Sequence, residues 1–192
     1  MEKKIYVIRH CEADGQSSEA LLTEKGIRQA AVLAEFFANV KMNRIISSPF
    51  RRAIQSIEQV AKREQTTLEL EDRLAERILS TEVLPNWLEK LEATFTDLDL
   101  KFDRGESSRE AMNRIVSVVN ETFKSNSETT LIVTHGNLLS LLLKYYDADF
   151  GFEQWKGLNN PDVFLLKFNN DEVTIERMWQ REKSNFENTG YS

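Results

Sequence analysis

Short apolar runs rich in β-branched residues alternate with helix-period segments along this 192-residue chain. That alternation narrows the fold more than any other feature. KIYVI (4–8), NRIISS (43–48), TTLEL (66–70) and TTLIVT (129–134) read as strands. Between the first two, LTEKGIRQAAVLAEFFANV puts Ile27, Ala30, Ala31, Ala34 and Phe37 on helical spacing, with Thr23 as N-cap. SPFRRAIQSIEQVAKRE reads as a second helix, with Ser48 as cap and Pro49 in the first turn, where a missing N–H costs nothing. SSREAMNRIVSVVNETFKS is an amphipathic helix opened by Ser107 or Ser108, with Glu110 near its positive end. NLLSLLLKYY is another helix, and DVFLLKFNND and EVTIERMWQ alternate as paired strands. Leu84 to Asp103 mixes helical spacing with acidic residues and reads as a surface excursion more than core. The polar C-terminal KSNFENTGYS is expected to be loose.

Strands alternating with helices predict one α/β domain over residues 1–192, built as three layers (α/β/α) around an open, mostly parallel sheet. The C-terminal strands are expected to form an antiparallel edge. In such sheets ligands bind beyond the carboxyl ends of the strands. The chain has two histidines, His10 and His135, and each follows an apolar run: KKIYVIRHCEADGQ and TLIVTHGNLL. Arg9, Ser47 and Ser48 also sit just past strand ends, so folding gathers these residues on one rim.

Neutral imidazole is a nucleophile and proton carrier at neutral pH, and an arginine beside it offers a planar fork for phosphate oxygens. Arg51 and Arg52 are adjacent on a helix and point about 100° apart, so one can face the rim while the other faces solvent. Glu76 follows the third strand, but Glu82, Glu89 and Glu92 are equally available as acids.

Other chemistries fit less well. A thiol phosphatase loop needs an arginine six residues after its cysteine, where Ser17 stands after Cys11. The two histidines and scattered acids lack the close ligand spacing of a zinc or two-metal hydrolase, so no metal or other cofactor is expected. A net charge of -6 without a basic patch argues against nucleic acid. No segment nears the ~18 apolar residues of a membrane span. The single cysteine rules out an internal disulfide and suits a reducing compartment. MEKKIYVIRH is too short in its apolar part for a secretory signal, so a cytoplasmic protein is expected.

Taken in order, RHCEADGQ, LTEKGIRQA, SSPFRRAIQS, LAE, GESSREAMNR and VTHGN resemble the histidine phosphatase, or phosphoglycerate mutase-like, superfamily from Ile5 to about Leu143. The resemblance implies that His10 attacks phosphorus and becomes a phosphohistidine, with Arg9 binding the phosphate beside it. It selects Arg52 over Arg51, makes Glu76 the proton donor, and adds His135 with Gly136. Glu110 and Arg114 match framework positions. Cys11 stands where the family has glycine. Ala13 and Gln16 replace Thr and Asn, with Gln16 offering its amide to phosphate at longer reach. The Gly-rich stretch that many members carry after the glutamate is absent. Residues 77–105 then form a lid or substrate-binding excursion, in which Trp87, Phe95 and Phe102 line an apolar pocket or local core. Lys90 and Lys101 there bind further phosphates or are solvated.

The implied activity is metal-independent hydrolysis of a small phosphomonoester, the short excursion favouring water over a second substrate hydroxyl. The alternatives are a phosphoglycerate-type mutase on the same centre and a non-catalytic phosphate-ligand binding protein.

Overall fold

A computed structural model describes residues 2–169 and 172–179. The expected loose tail, 183–192, lies outside them. The elements run β1 (Lys3–Arg9), α1 (Glu24–Phe36), β2 (Arg44–Ser47), α2 (Arg51–Arg63), β3 (Leu68–Leu70), a 3₁₀ turn (Asp72–Leu74), α3 (Trp87–Thr96), α4 (Ser108–Lys124), β4 (Thr129–Thr134), α5 (Gly136–Tyr146), α6 (Phe152–Lys156), β5 (Asp162–Asn169) and β6 (Glu172–Arg177). They form one six-stranded sheet in the order β3-β2-β4-β1-β5-β6. The first four strands are parallel, β5 runs antiparallel to β1, and β6 antiparallel to β5.

The strand alternation sorts the core into two layers. Ile5 and Val7 of β1, Ile46, Ile132 and Leu166 pack against α3, α4, α5 and α6. Tyr6 and Ile8, Ile45, Leu131, Val133 and Leu165 pack against α1 and α2 on the opposite face. Each fully buried Ile or Val contributes roughly 1.5–3 kcal/mol, so β1 and β4 at the sheet centre form a rigid base for the residues that follow them.

Local signals explain most helix starts. The Thr23 side chain accepts from the Gly26 N–H, and Ser107 with Glu110 closes a capping box on α4. Gly26 has a further reason to be glycine: a Cβ there would lie 2.0 Å from the Glu12 carbonyl oxygen, in the loop that follows His10.

One expectation is corrected. Ser48 does not cap α2; the helix starts at Arg51 with Phe50 in the cap position and no side-chain cap. The Ser48 hydroxyl instead meets His135 Nε2 at 2.7 Å. The 84–103 stretch is mostly exposed, as expected of a surface excursion, while α3 anchors it by sending Leu91 and Phe95 into the core, Phe95 edge-on to Phe152 at 6.1 Å between centroids. Its base is pinned. Buried Arg77 donates to Thr94 Oγ1 and Ser108 Oγ, both at 3.0 Å, and Glu106 N–H donates to the Ile78 carbonyl at 2.7 Å. Ile78, Val83, Trp87 and Leu88 remain exposed between these anchors. Lys101 pairs with Glu110, and Lys90 lies over the Phe102 ring.

Candidate active site

β1 and β4 lie side by side in parallel, so the residues after them meet. The His10 and His135 rings stand 5.1 Å apart between centroids, inclined at 62°. Arg52 reaches the same point from the first turn of α2, its Nε–H donating to His10 Nε2 at 3.2 Å. Arg51, one residue earlier, is exposed and pairs with Glu19. The helix thus divides the two arginines between rim and solvent.

The neighbours of His10 determine its tautomer. Nδ1 lies 2.6 Å from the Cys11 carbonyl, which can only accept, so Nδ1 carries the proton. Nε2 faces a guanidinium N–H, which can only donate, so it presents its lone pair. Burial, then the nearby Arg52 and Arg9 charges, outweigh the Cys11 carbonyl and lower the imidazole pKa to about 3. His135 is fully buried and is also held well below the ordinary range, by burial and by His10, Arg52, Arg114 and Arg9.

The two arginines at the rim have no ion-pair partner within 4.0 Å among the described residues. Arg52 is 1 % exposed and donates through Nη1 to the Ser17 carbonyl at 2.6 Å. Arg9 donates through Nη1 to the Leu158 and Asn159 carbonyls, while its buried Nε has no partner. Gly136 makes room for it, since a Cβ there would sit 2.9 Å from that Nε. Burial lowers the pKa of both guanidiniums, and the Glu76 charge opposes this at both.

Glu76 sits at the start of α5. Its Oε2 accepts from the Asn137 N–H at 3.1 Å, and Oε1 accepts from the Leu138 N–H at 3.0 Å and the Arg77 N–H at 2.8 Å. A carboxylate suits the positive end of a helix. Its placement explains why Glu76, unlike Glu82, Glu89 and Glu92, belongs to the rim.

Other expectations sort as follows. Gln16 is exposed and makes no hydrogen bond to the cluster among the described residues. Cys11 is buried in the α1–α2 layer of the core, and burial raises its thiol pKa to about 12, which disfavours the thiolate. Among the described residues no three His, Cys, Asp or Glu side chains gather as a metal site. No helix there is long and apolar enough to cross a membrane. A cleft of about 820 Å³ between α1 and the segment before β5 shares Asn160 with this neighbourhood, but Arg9, His10, Arg52, Glu76 and His135 do not line it.

Asn137 was not anticipated from the sequence. It is 8 % exposed, and both its side-chain oxygen and nitrogen lack partners, as does His135 Nδ1. Buried polar atoms normally find partners. These unmatched groups lie two residues apart, on either side of the Gly136 that abuts the Arg9 guanidinium, and they suit a polar guest. The signal in the sequence was the Asn of HGN.

The two depressed imidazoles make stability depend on pH. The unfolded chain takes up protons near pH 6.5 while the folded site stays neutral to about pH 3 at His10. Acidification therefore favours unfolding, and stability is complete only above the unfolded value. From pH 7 to pH 5 we expect a loss of about 2 kcal/mol from His10, with His135 adding to it in the same direction, read as a fall in the urea midpoint. In His135→Gln the histidine-linked slope should become shallower; an unchanged slope would contradict the assignment.

A sheet rim that gathers two imidazoles, a buried guanidinium and a half-buried one, neither with an ion-pair partner among the described residues, suits an anionic group. The chain belongs to the histidine phosphatase superfamily, branch 1, which it matches across residues 5–181. It is 27% identical to a Hydrogenobacter thermophilus protein named "Putative phosphoserine phosphatase 2", covering 73% of this chain and 77% of that one. The fold is similar to a mycobacterial glucosyl-3-phosphoglycerate phosphatase (TM-score 0.72, 21% identity, 92% of this chain and 97% of that chain). It is similar also to a phosphoglycerate mutase from Bacillus anthracis (TM-score 0.72, 19% identity, 92% of both chains). Phosphatases and a mutase thus share this architecture.

Proposed function

We propose that the protein hydrolyses a small phosphomonoester through a phosphohistidine at His10, without a metal. One observation carries the reading: fully buried Arg52 donates to His10 Nε2, the charge of half-buried Arg9 also reaches that imidazole, and neither arginine has a carboxylate partner within 4.0 Å among the described residues. The phosphoryl group sits between Arg9 and Arg52, whose forks neutralise the charge that spreads over its oxygens in the transition state. Asn137 and His135 donate to the same oxygens. The Ser48 hydroxyl has no other acceptor among the described residues, so it gives its proton to His135 Nε2 while accepting from the Phe50 N–H, leaving the proton of His135 on Nδ1.

His10 Nε2 attacks phosphorus as the ester oxygen departs. Glu76, having taken a proton from the incoming phosphomonoester monoanion, passes it to that oxygen through Oε2, which carries one accepted bond against two on Oε1. The alcohol leaves, and Glu76 removes a proton from the water that cleaves the phosphohistidine. Phosphate is released and His10 returns to its neutral form, its Nδ1–H held by the Cys11 carbonyl throughout.

The exposed residues between Ile78 and Leu88, on the 77–105 excursion, lie within twelve residues of Glu76 and close over the leaving group. The pinned base of that segment limits its movement and favours water as acceptor over a second substrate hydroxyl. The name of the Hydrogenobacter relative makes phosphoserine the first ester to test.

The decisive measurement ranks phosphoserine, sugar phosphates, phosphoglycerates and nucleoside monophosphates by kcat/KM in chelator-treated buffer. It is paired with monophosphoglycerate interconversion primed by a bisphosphate. We expect phosphate release without interconversion. Interconversion faster than release would make the protein a mutase, and ligand binding with neither activity would leave a binding protein.

A further inference from the structure

The groups that act on His10 are held from behind. Its amide donates to the Thr134 carbonyl at 3.1 Å, and the peptide joining His10 to Cys11 is held on both sides by side chains. Asn160 Nδ2 donates to the His10 carbonyl at 2.8 Å. On the other side, the Cys11 N–H donates to Ser56 Oγ at 2.8 Å, and that hydroxyl donates onward to the Arg52 carbonyl at 2.6 Å. Ser56 is fully buried.

We infer that Ser56 and Asn160 are positioning residues for the His10 imidazole. The inference rests on the role proposed for His10. With both polar atoms of that peptide fastened, its plane is fixed up to the Cys11 Cα, and the next peptide, whose Glu12 N–H donates to Gln29 Oε1 at 2.8 Å, keeps its Cys11 carbonyl aimed at His10 Nδ1. That carbonyl puts the proton on Nδ1 and the lone pair on Nε2. Loss of either fastening lets the peptide turn, and the imidazole then samples the other tautomer and other ring orientations.

The two residues tie the nucleophile to both sides of the sheet rim. Arg52 and Ser56 lie one turn apart on α2, so one helix reaches both ring nitrogens, directly at Nε2 and through Cys11 at Nδ1. The segment holding Asn160 also holds Arg9, whose Nη1 bonds the Leu158 and Asn159 carbonyls. A serine inside a helix that bonds back to the carbonyl four residues earlier slightly destabilises the helix. That cost has a purpose if the hydroxyl is needed at Cys11. The same demand explains why a small buried side chain suffices at position 11: backbone atoms, not the thiol, make the contacts.

The test uses Ser56→Ala, Ser56→Thr and Asn160→Ala in the full chain, each checked for cooperative unfolding. Readouts are steady-state hydrolysis of an aryl phosphate and the ¹⁵N spectrum of histidine-labelled protein, which distinguishes the two neutral tautomers. In the wild type His10 should be Nδ1-protonated. Ser56→Ala and Asn160→Ala should show a mixed population and lower kcat by roughly 10–100-fold, the scale of a slightly misplaced reacting group. KM should change little, and Ser56→Thr should restore both readouts. If Ser56→Ala does not fold, Asn160→Ala, outside any helix, decides. A tautomer signature unchanged in the folded variants overturns the inference, whether or not kcat falls. If the wild type hydrolyses none of the esters, the functional reading fails, and the tautomer spectra still decide this one.

Discussion

Alanine at position 10 lowers turnover of an aryl phosphate by about 10⁴-fold or more, equivalent to roughly 5 kcal/mol of transition-state stabilisation. It also abolishes the acid-labile, base-stable phosphoprotein formed in a rapid quench with ³²P-labelled ester. The size follows from what is lost. With Nε2 gone, water must attack an ester that the arginines still hold, so a single difficult displacement replaces two easier ones. The forks of Arg9 and Arg52 persist in the variant, so phosphate or vanadate binding should survive the loss of turnover. The fold persists too, because the His10 ring is replaced at a rim already held by the strands around it. Because the free-enzyme imidazole pKa is lowered to about 3, kcat/KM of the wild type should show no His10 inflection between pH 5 and pH 8. Normal turnover in His10→Ala, or a labelled protein that keeps its phosphoryl group, refutes the nucleophile.

Much of this was readable in one dimension, for physical reasons. Strand ends carry the rim in a parallel α/β sheet, so Arg9, His10 and His135 were placed by their position after apolar runs. Capping chemistry is local, so Thr23 and the Ser107–Glu110 box were legible from four residues each. Ser48 was misread because the same Ser-Pro pair that suits a helix start also suits a loop whose hydroxyl serves a histidine 87 residues away. The α3 core residues were hidden by the acidic face of the same helix, and Phe152, which covers Phe95, comes from the unrecognised α6. Choosing Arg52 over Arg51 needed the family resemblance, since helix geometry separates the two without saying which faces the rim. Asn137, Ser56 and Asn160 gave no periodic or capping signal, because their significance lies in partners that only the folded rim supplies.

Methionine at position 52 separates activity from stability. The variant should lose about 10³-fold or more in kcat/KM, near 4 kcal/mol, the scale of deleting a donor aimed at developing charge. In phosphate-free buffer it should nonetheless unfold at a higher temperature than the wild type. Arg52 is 1 % exposed, and its contacts are a neutral carbonyl, a neutral imidazole and the Phe50 ring at 4.9 Å. No carboxylate pairs with it among the described residues. A buried ion without a counter-charge costs several kcal/mol even after relaxation, whereas losing the charge-assisted hydrogen bond to Ser17 costs about 1.5–3 kcal/mol, and the longer one to His10 less. The balance favours the apolar side chain by roughly 1–2 kcal/mol, or about 2–8 °C in a chain of this size. Inorganic phosphate should reverse the order, because an anion that binds only the folded wild type adds about 2.7 kcal/mol at a hundred times its Kd. The Arg52→Met protein should gain almost nothing from phosphate. A lower melting temperature in this variant with an undiminished response to phosphate would mean that the arginine is a structural strut. The opposite pattern makes its burial a cost borne in the empty enzyme and cancelled only when the phosphoryl group arrives.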